Sequence, residues 1–340
     1  MEGIESGVGG VWQTRQTVAG TIERSDATTM KRLRKADDDG GLSPRKTYGS
    51  EEYVDGLTWG SPGSFTQEVG GLVGTLKLQG QIEIVAYEAA QFFGSDVVTG
   101  ASDPYTHTIS SGTAVPALNT FYQKTGVSTI VRQSFFDAKV SKLQLDAGQD
   151  ENSRVLHPTI DVMALKAGGW FTTDPVAVDS AVDPLLWTEA VTRYNGTAFP
   201  EMTGDKIEAD AKLGVHRGQN SAPVCFTYSK GELMRTVDGI VTDSTLAEIK
   251  NVLYGTTSPT NGLAVVDAVV QVPVVATYTR SARRTLTITT PLVEIRPDDW
   301  AFGPRAQGGP IPVAFGGRCK AGGSPAITIV ALTGDSAAYV

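Results

Sequence analysis

From Gly74 onward the chain alternates. In GTLKLQGQIEIV the apolar residues Leu76, Leu78, Ile82 and Ile84 fall at even spacing with polar residues between them, the period of a strand with one buried face. This predicts one long strand or a hairpin arm over 74–84. VAYEAAQFFG follows, with Val85, Ala89, Phe92 and Phe93 at helical spacing and Gly94 placed to stop a short helix. Two β-favouring runs, VRQSFFDAKVSKLQLDAG and SRVLHPTIDVMALKAGG, are joined by the polar turn GQDEN and read as a hairpin.

In DKIEADAKLGVHRG the alternation is cleanest: Ile207, Ala209, Ala211, Leu213 and Val215 share one face, and Lys206, Glu208, Asp210 and Lys212 share the other. Such a strand has one wet side. STLAEIKNVLYG predicts a helix, with Thr245 and Glu248 as a capping box, an apolar stripe of Leu246, Ile249, Val252 and Leu253, and Gly255 as its stop. Three more β stretches follow, LAVVDAVVQVPVVATYT, RTLTITTPLVEIR and PAITIVALTG, the last two separated by a Gly/Pro-rich loop over 297–325. The pattern is mainly β with two short helices. Each half offers a strand, strand, helix series, but no short fixed period marks a solenoid or propeller.

The first sixty residues differ. RSDATTMKRLRKADDDGGLSPRKTYGSEEYVDG alternates basic and acidic blocks with scattered apolar residues and cannot bury itself alone. Residues 1–62 therefore read as an arm and long loop, and 63–340 as the β-domain. The DDDGG run lacks the spaced ligands and closing glutamate of a calcium loop.

A chain of 340 residues, 40% hydrophobic, can build a substantial core. Its 37 acidic and 29 basic side chains leave a formal charge of -8, which gives little general attraction to duplex DNA or an anionic membrane. Cys225 and Cys319 match no zinc spacing. The opening MEGIESGVGGVWQTRQ carries acids where a signal peptide carries Lys or Arg, and no apolar run reaches membrane-span length.

Catalytic patterns are thin. His107, His157 and His216 each lie in or beside a predicted strand, and no GxSxG elbow accompanies them. GGLVGT precedes a strand and lacks a following Lys-Ser/Thr, so it is no phosphate cradle. Asp298 and Asp299 beside Trp300 could serve a glycosidase, but Asp-Asp after proline reads as a turn. Arg280, Arg283 and Arg284 in TYTRSARRT look like ion-pair donors between subunits rather than a nucleic-acid patch. No cofactor, metal or catalytic residue is expected.

The segments GTLKLQGQIEIVAYEAAQFFG, YTHTISSGTAVPALNTFYQKTG, FFDAKVSKLQLDAG and HPTIDVMALKAGG together resemble the phage major tail tube protein family. Tyr105, Thr106, His107 and Thr108 match its Y-T-H-T segment, and Pro116, Leu118 and Thr120 its next strand, with Ala117 where Ser is common. Phe136, Lys139, Val140 and Leu143 match the following one, although Asp137-Ala138 stands where Gly-Cys or Gly-Ala is usual. The likeness covers Gly74 to Gly169 and extends loosely into the second half. The N-terminal arm is similar to the lead-in of tail proteins from long-tailed phages of actinobacteria.

The resemblance implies a tail-tube β-sandwich or barrel whose strands join a shared inner β-barrel in a hexameric ring, the rings stacking into a hollow tube that conducts DNA during ejection. It implies a place in the virion tail, after assembly in the host cytoplasm, and partners in further copies of itself, the tape measure protein, the tail terminator and DNA passing without specific binding. Lys206, Glu208, Asp210 and Lys212 become candidates for the lumen-facing strand face. Arg32, Arg34, Asp37, Asp38, Arg280, Arg283 and Arg284 become candidate contacts between subunits. An acidic lumen would repel phosphates and ease DNA passage. The rival readings are a carbohydrate-binding or adhesin-like β-sandwich, suggested by Trp170, Trp187 and Trp300, and a distal tail or terminator subunit of the same fold.

Overall fold

The computed structural model describes residues 9–21, 30–36, 41–43, 46–50, 65–69, 72–125, 131–150, 154–168, 174–175, 177, 182–198, 201–217, 223–260, 270–295 and 311–340. Its first strands are β1 (Gly10–Arg15), β2 (Lys31–Leu33), β3 (Leu42–Ser43), β4 (Lys46–Ser50), β5 (Phe65–Val69) and β6 (Leu72–Lys77), followed by helix α1 (Ile82–Phe93). Then come β7 (Val97–Thr99), β8 (Tyr105–Ser110), β9 (Asn119–Thr125), β10 (Val131–Gly148), β11 (His157–Ala167), β12 (Ala190–Tyr194) and β13 (Thr197–Ala198). The rest are β14 (Met202–Asp210), β15 (Leu213–Arg217), β16 (Pro223–Tyr228), β17 (Glu232–Ile240), helix α2 (Asp243–Tyr254), β18 (Val270–Ser281), β19 (Arg284–Ile295), β20 (Pro312–Cys319) and β21 (Thr328–Thr333). The protein is mainly β, and every strand ladder is antiparallel.

The predicted β10–β11 hairpin organises the main sheet. One edge of β10 pairs with β11, while the other takes β9 along Val131–Ala138 and then β14 along Lys142–Gly148. Two rings of strands grow from this fork. The first runs β11–β10–β9–β1–β2 and returns through β6; it closes at the Lys35–Leu78 bridge, with Ala36 N–H donating to Lys77 C=O (2.9 Å) and Gln79 N–H to Arg34 C=O (2.8 Å). The second runs β10–β14–β17–β20–β19–β18–β12 and closes on the lead-in to β11 at the Val155–Leu186 bridge. Closure satisfies strand edges that would otherwise stand open. β4–β5 and β15–β16 form separate two-stranded ribbons.

The fork lies at Asp137, whose φ is +49° and where the β9 register shifts. Left-handed backbone is easy for glycine and awkward for aspartate. Here the carboxylate compensates, accepting from Gly20 N–H (2.7 Å) and Gln16 Nε2 (2.6 Å) and pairing with Lys166 (2.9 Å). Thus Asp137 holds a backbone conformation ordinarily left to glycine.

α1 is buried along its whole length, packed against β10 on one side and β8 and β21 on the other. Each large apolar side chain it hides contributes about 1.5–3 kcal/mol. Glu88 in its middle is held largely protonated, burial pushing its pKa up to about 8. A second core, Tyr194, Val237, Val274, Val293 and Phe315, lies in the other ring and is joined by Ile249 and Val252 of α2.

Several expected boundaries move. The strand at Gly74 ends at Lys77, and Ile82 and Ile84 belong to α1; the even spacing of Leu76, Leu78, Ile82 and Ile84 runs on past the strand into the first helical turn, so alternation alone does not mark the boundary. α2 starts earlier, with Thr242 as N-cap and Thr245 as its box partner rather than Thr245 and Glu248, while Gly94 and Gly255 do cap their helices in left-handed geometry. The Gly/Pro-rich stretch contains β20, whose Gly317 lets the strand pass against the Glu294 carbonyl; a Cβ there would come within 1.5 Å of it. Parts of the expected arm are integral: β1 and β2 are ring strands, with Val11, Trp12 and Leu33 buried. No helix among the described residues is long and apolar enough to cross a membrane.

Candidate assembly surface

Strands β11, β10, β14, β17 and β20 lie side by side, and their registers align side chains in rows across the sheet. One row is Asp161, Lys142, Asp210, Glu232; the next is Thr159, Gln144, Glu208, Met234, Arg318; a third is His157, Asp146, Lys206, Thr236, Gly316. Between them run the buried residues Ile160, Leu143 and Ala209, then Leu145, Ile207 and Arg235. Strand alternation thus sets a polar face over a buried one. The three rows hold five carboxylates against three cations.

The expected wet face is therefore present at Lys206, Glu208 and Asp210, but not as one strand running to 215. Lys212 lies beyond the end of β14 at φ +49°, its N–H donating to Asp210 Oδ1 (2.7 Å), and Leu213 and Val215 belong to the β15–β16 ribbon. Lys212 folds back onto the face at 2.8 Å from Asp210 and 3.7 Å from Glu232. Lys206 pairs with Glu208 (2.7 Å) and Arg318 with Glu232 (2.9 Å). Exposed pairs of this kind add little stability, but they break up any block of one sign. The face is a lattice of paired charges with a small acidic excess.

The arginines at the β18–β19 turn have partners within the chain. Arg280 binds Glu189 (2.6 Å) and Asp183 (2.8 Å), Arg284 binds Asp103 (2.9 Å) and approaches Glu83 (3.5 Å), and Arg283 stands 3.7 Å from Asp103. These contacts tie the hairpin to the start of α1 and to the lead-in of β12. Arg32 and Arg34 are exposed on and beside β2. Asp37, Asp38, Trp170, Asp298, Asp299 and Trp300 lie outside the described residues.

His107 has the partner that sequence inspection could not supply. Fully buried on β8, it places Nδ1 2.9 Å from Asp96 and Nε2 2.9 Å from the Asp335 carbonyl, and its ring stacks on Tyr339 at 4.3 Å. A carbonyl only accepts, so Nε2 carries a proton. Asp96 also accepts from Tyr339 N–H (2.9 Å), and Lys31 and the Tyr339 hydroxyl both bind Asp335 (2.8 and 2.7 Å). With both ring nitrogens engaged in hydrogen bonds, this is a clamp on segment 334–340. Burial opposes the charged imidazolium, but the hydrogen bonds to Asp96 and Asp335 and their charges outweigh it, and the pKa is raised above 6.5. The clamp's electrostatic contribution is thus complete below the ordinary histidine range and falls away as pH rises through the raised value. His107→Ala should cost about 3 kcal/mol and speed amide exchange at Tyr339 selectively; unchanged exchange there would remove the clamp.

His157 Nδ1 lies 3.1 Å from the Leu78 carbonyl, and His216 is exposed. Both cysteines are free, Cys225 exposed and Cys319 buried, with burial pushing the Cys319 thiol up to about 12. Among the described residues no group of three or more His, Cys, Asp and Glu side chains is placed to hold a metal.

Three buried charged side chains had no sequence signal as sites. Asp205 and Arg235 face each other inside the second ring at 2.6 Å; both sit in the apolar phase of their strands, which is the one available hint. Lys139, 5% exposed, donates to the Pro116 carbonyl and lies 5.5 and 5.9 Å from the Tyr228 and Phe226 rings of the β15–β16 ribbon. Burial pulls its pKa from 10.5 to about 8. Between these values the unfolded chain binds the proton more readily, so Lys139 makes stability rise as pH climbs from about 8 towards 10. Lys139→Met should abolish that rise and stabilise the protein by about 1–2 kcal/mol near pH 7, as read by urea melts across this range; a destabilised Met variant would show that the ring contacts outweigh desolvation.

No model of a known protein family matches the chain, and no curated protein matches it.

Proposed function

We propose that this chain is a structural subunit of a phage tail tube, assembling as stacked rings around a channel that DNA crosses. The observation that carries the reading is the polar face of β11, β10, β14, β17 and β20, which sets Lys206, Glu208 and Asp210 in one continuous wall backed by a buried core. A channel for a moving polyanion needs a wettable wall without a block of positive charge, because clustered cations would bind phosphates and retain them. The paired charges supply such a wall. The resemblance across Tyr105–Thr108 and Phe136–Leu143 supports the family assignment, and the glycine-like backbone at Asp137 fits it.

Negative-stain microscopy of the concentrated protein tests the proposal. Rings or tubes with a central channel are expected, and a protein that stays monomeric by light scattering, with no particles, sinks it. Glu208→Lys with Met234→Lys, exposed neighbours in one row of the face, should leave the fold intact but make assembled particles retain DNA at low salt, released as salt rises.

The adhesin-like reading has one observation of its own, a cavity of about 860 Å3 lined by Trp187, Arg154, Gln149 and Met202. An aromatic platform beside polar side chains suits a sugar ring. Glycan binding by a monomeric protein, lost in Trp187→Ala, would favour it over the tube.

A further inference from the structure

A groove of about 870 Å3 lies between the end of α1, the loop after β8, the β16–β17 turn and the loop after β20; Phe92, Phe93, Val115, Pro116, Tyr228 and Leu233 give it an apolar lining. Its size is that of small-molecule sites, about 300–1,000 Å3. Val115 and Tyr228, two of the few large apolar side chains strongly exposed to solvent at 48% and 47%, both face it. The carboxylates at its edge are engaged: Asp210 with Lys212, Glu232 with Lys212 and Arg318.

Lys139 stands behind this wall. Its ammonium donates to the carbonyl of Pro116 and lies against the ring of Tyr228, and both of those residues line the groove. An ammonium has three N–H donors, and a buried charge is ordinarily paired. Among the described residues no carboxylate is ion-paired with Lys139; burial alone governs its titration. Among the described residues the ammonium meets a neutral carbonyl and two ring faces. Tyr228, half exposed at the end of β16, both touches the ammonium and lines the groove, so a change of its rotamer is the movement that would bring the ammonium into contact with a bound molecule.

We infer that this groove is a binding site for a single-chain aliphatic carboxylate, its hydrocarbon lying along Phe92, Phe93, Pro116 and Leu233 and its carboxylate taking the place of the missing counter-charge beside Lys139. The apolar lining provides affinity without orientation, and the single buried cation provides orientation. The site belongs to the individual chain and does not depend on the tube reading.

Titration calorimetry with dodecanoate below its micellar concentration tests it on the full chain, with 1-dodecanol as the uncharged probe. Wild type should bind one dodecanoate per chain at least tenfold more tightly than 1-dodecanol. Lys139→Met should lose that preference while keeping 1-dodecanol binding, and Lys139→Arg, which retains the charge, should keep it, guarding against a Met variant that does not fold. Absence of saturable dodecanoate binding, equal affinity for the alcohol, or an undiminished preference in a folded Lys139→Met protein would each overturn the assignment.

Discussion

Replacing Arg235 by alanine should lower the stability of the protein by about 3–5 kcal/mol, the largest effect expected of any single side-chain truncation here. Arg235 is wholly buried. Its Nε and Nη2 grip the two oxygens of Asp205 at 3.0 and 2.6 Å, and its Nη1 donates to the Val274 carbonyl (2.8 Å) and Thr290 Oγ1 (3.0 Å). One guanidinium therefore joins β14, β17, β18 and β19 across the interior of the second ring. Fork-to-fork geometry matches the planar donor set to the carboxylate. Truncation strands the Asp205 charge in the core, and the cost comes from that unpaired carboxylate more than from the attraction lost. The double variant Arg235→Met with Asp205→Leu should recover much of the loss, because it removes both desolvated charges. Urea unfolding of the two single variants and the double variant measures the coupling; a loss below about 1 kcal/mol in Arg235→Ala would mean that water reaches the pair.

Gly80→Ala should be nearly as damaging, at about 3 kcal/mol, although it adds one methyl group. A Cβ at position 80 would lie 1.9 Å from the Leu156 carbonyl oxygen and 2.7 Å from its carbon. Both are backbone atoms, so no side-chain rotation makes room. Residues 78–80, the strap between β6 and α1, are pinned from both directions: Leu78 N–H donates to the Pro158 carbonyl (2.8 Å), and the Gly80 carbonyl accepts from Leu185 N–H (2.9 Å). Leu78 belongs to the bridge that closes the first ring, and Leu185 adjoins the one that closes the second. A shift at Gly80 therefore loosens both closures together. Gly112→Ala is the matched control, since nothing lies within 4 Å of its added Cβ, and it should change stability by less than about 0.5 kcal/mol. Similar melting temperatures for the two variants would show that the strap is more compliant than its contacts indicate.

Legibility followed the physics of each element. The β10–β11 hairpin, the strand at Lys206–Asp210 and α2 could be read because each buries one side and wets the other, which prints a period on the sequence. α1 was legible at its Gly94 end, where a left-handed cap needs glycine, but not at its start, because Ile82 and Ile84 continue the even spacing of Leu76 and Leu78 into the first helical turn. β20 was hidden in a Gly/Pro-rich stretch because its glycines serve close approaches rather than a turn, Gly316 to Thr236 of β17 and Gly317 to the Glu294 backbone of β19. The polar face was half legible: the alternation named Lys206, Glu208 and Asp210, yet the break at Lys212 depends on a local left-handed residue stabilised by Asp210, which alternation cannot reveal.

What the sequence alone determined is local: where strands alternate, where helices stop, that the chain is mainly β, and that one strand carries a charged wet side. Only the tertiary structure decided which distant partners meet. Asp96, eleven residues from His107, and Asp335, 228 residues away, turn a lone histidine into a clamp. Asp205 and Arg235 cancel each other inside a ring, and Lys139 has no carboxylate partner among the described residues and stands beside an apolar groove. The physical reason is one of range. Backbone preference and burial period act between neighbours, whereas the energy of a buried charge is set by whatever the fold brings within a few ångströms of it.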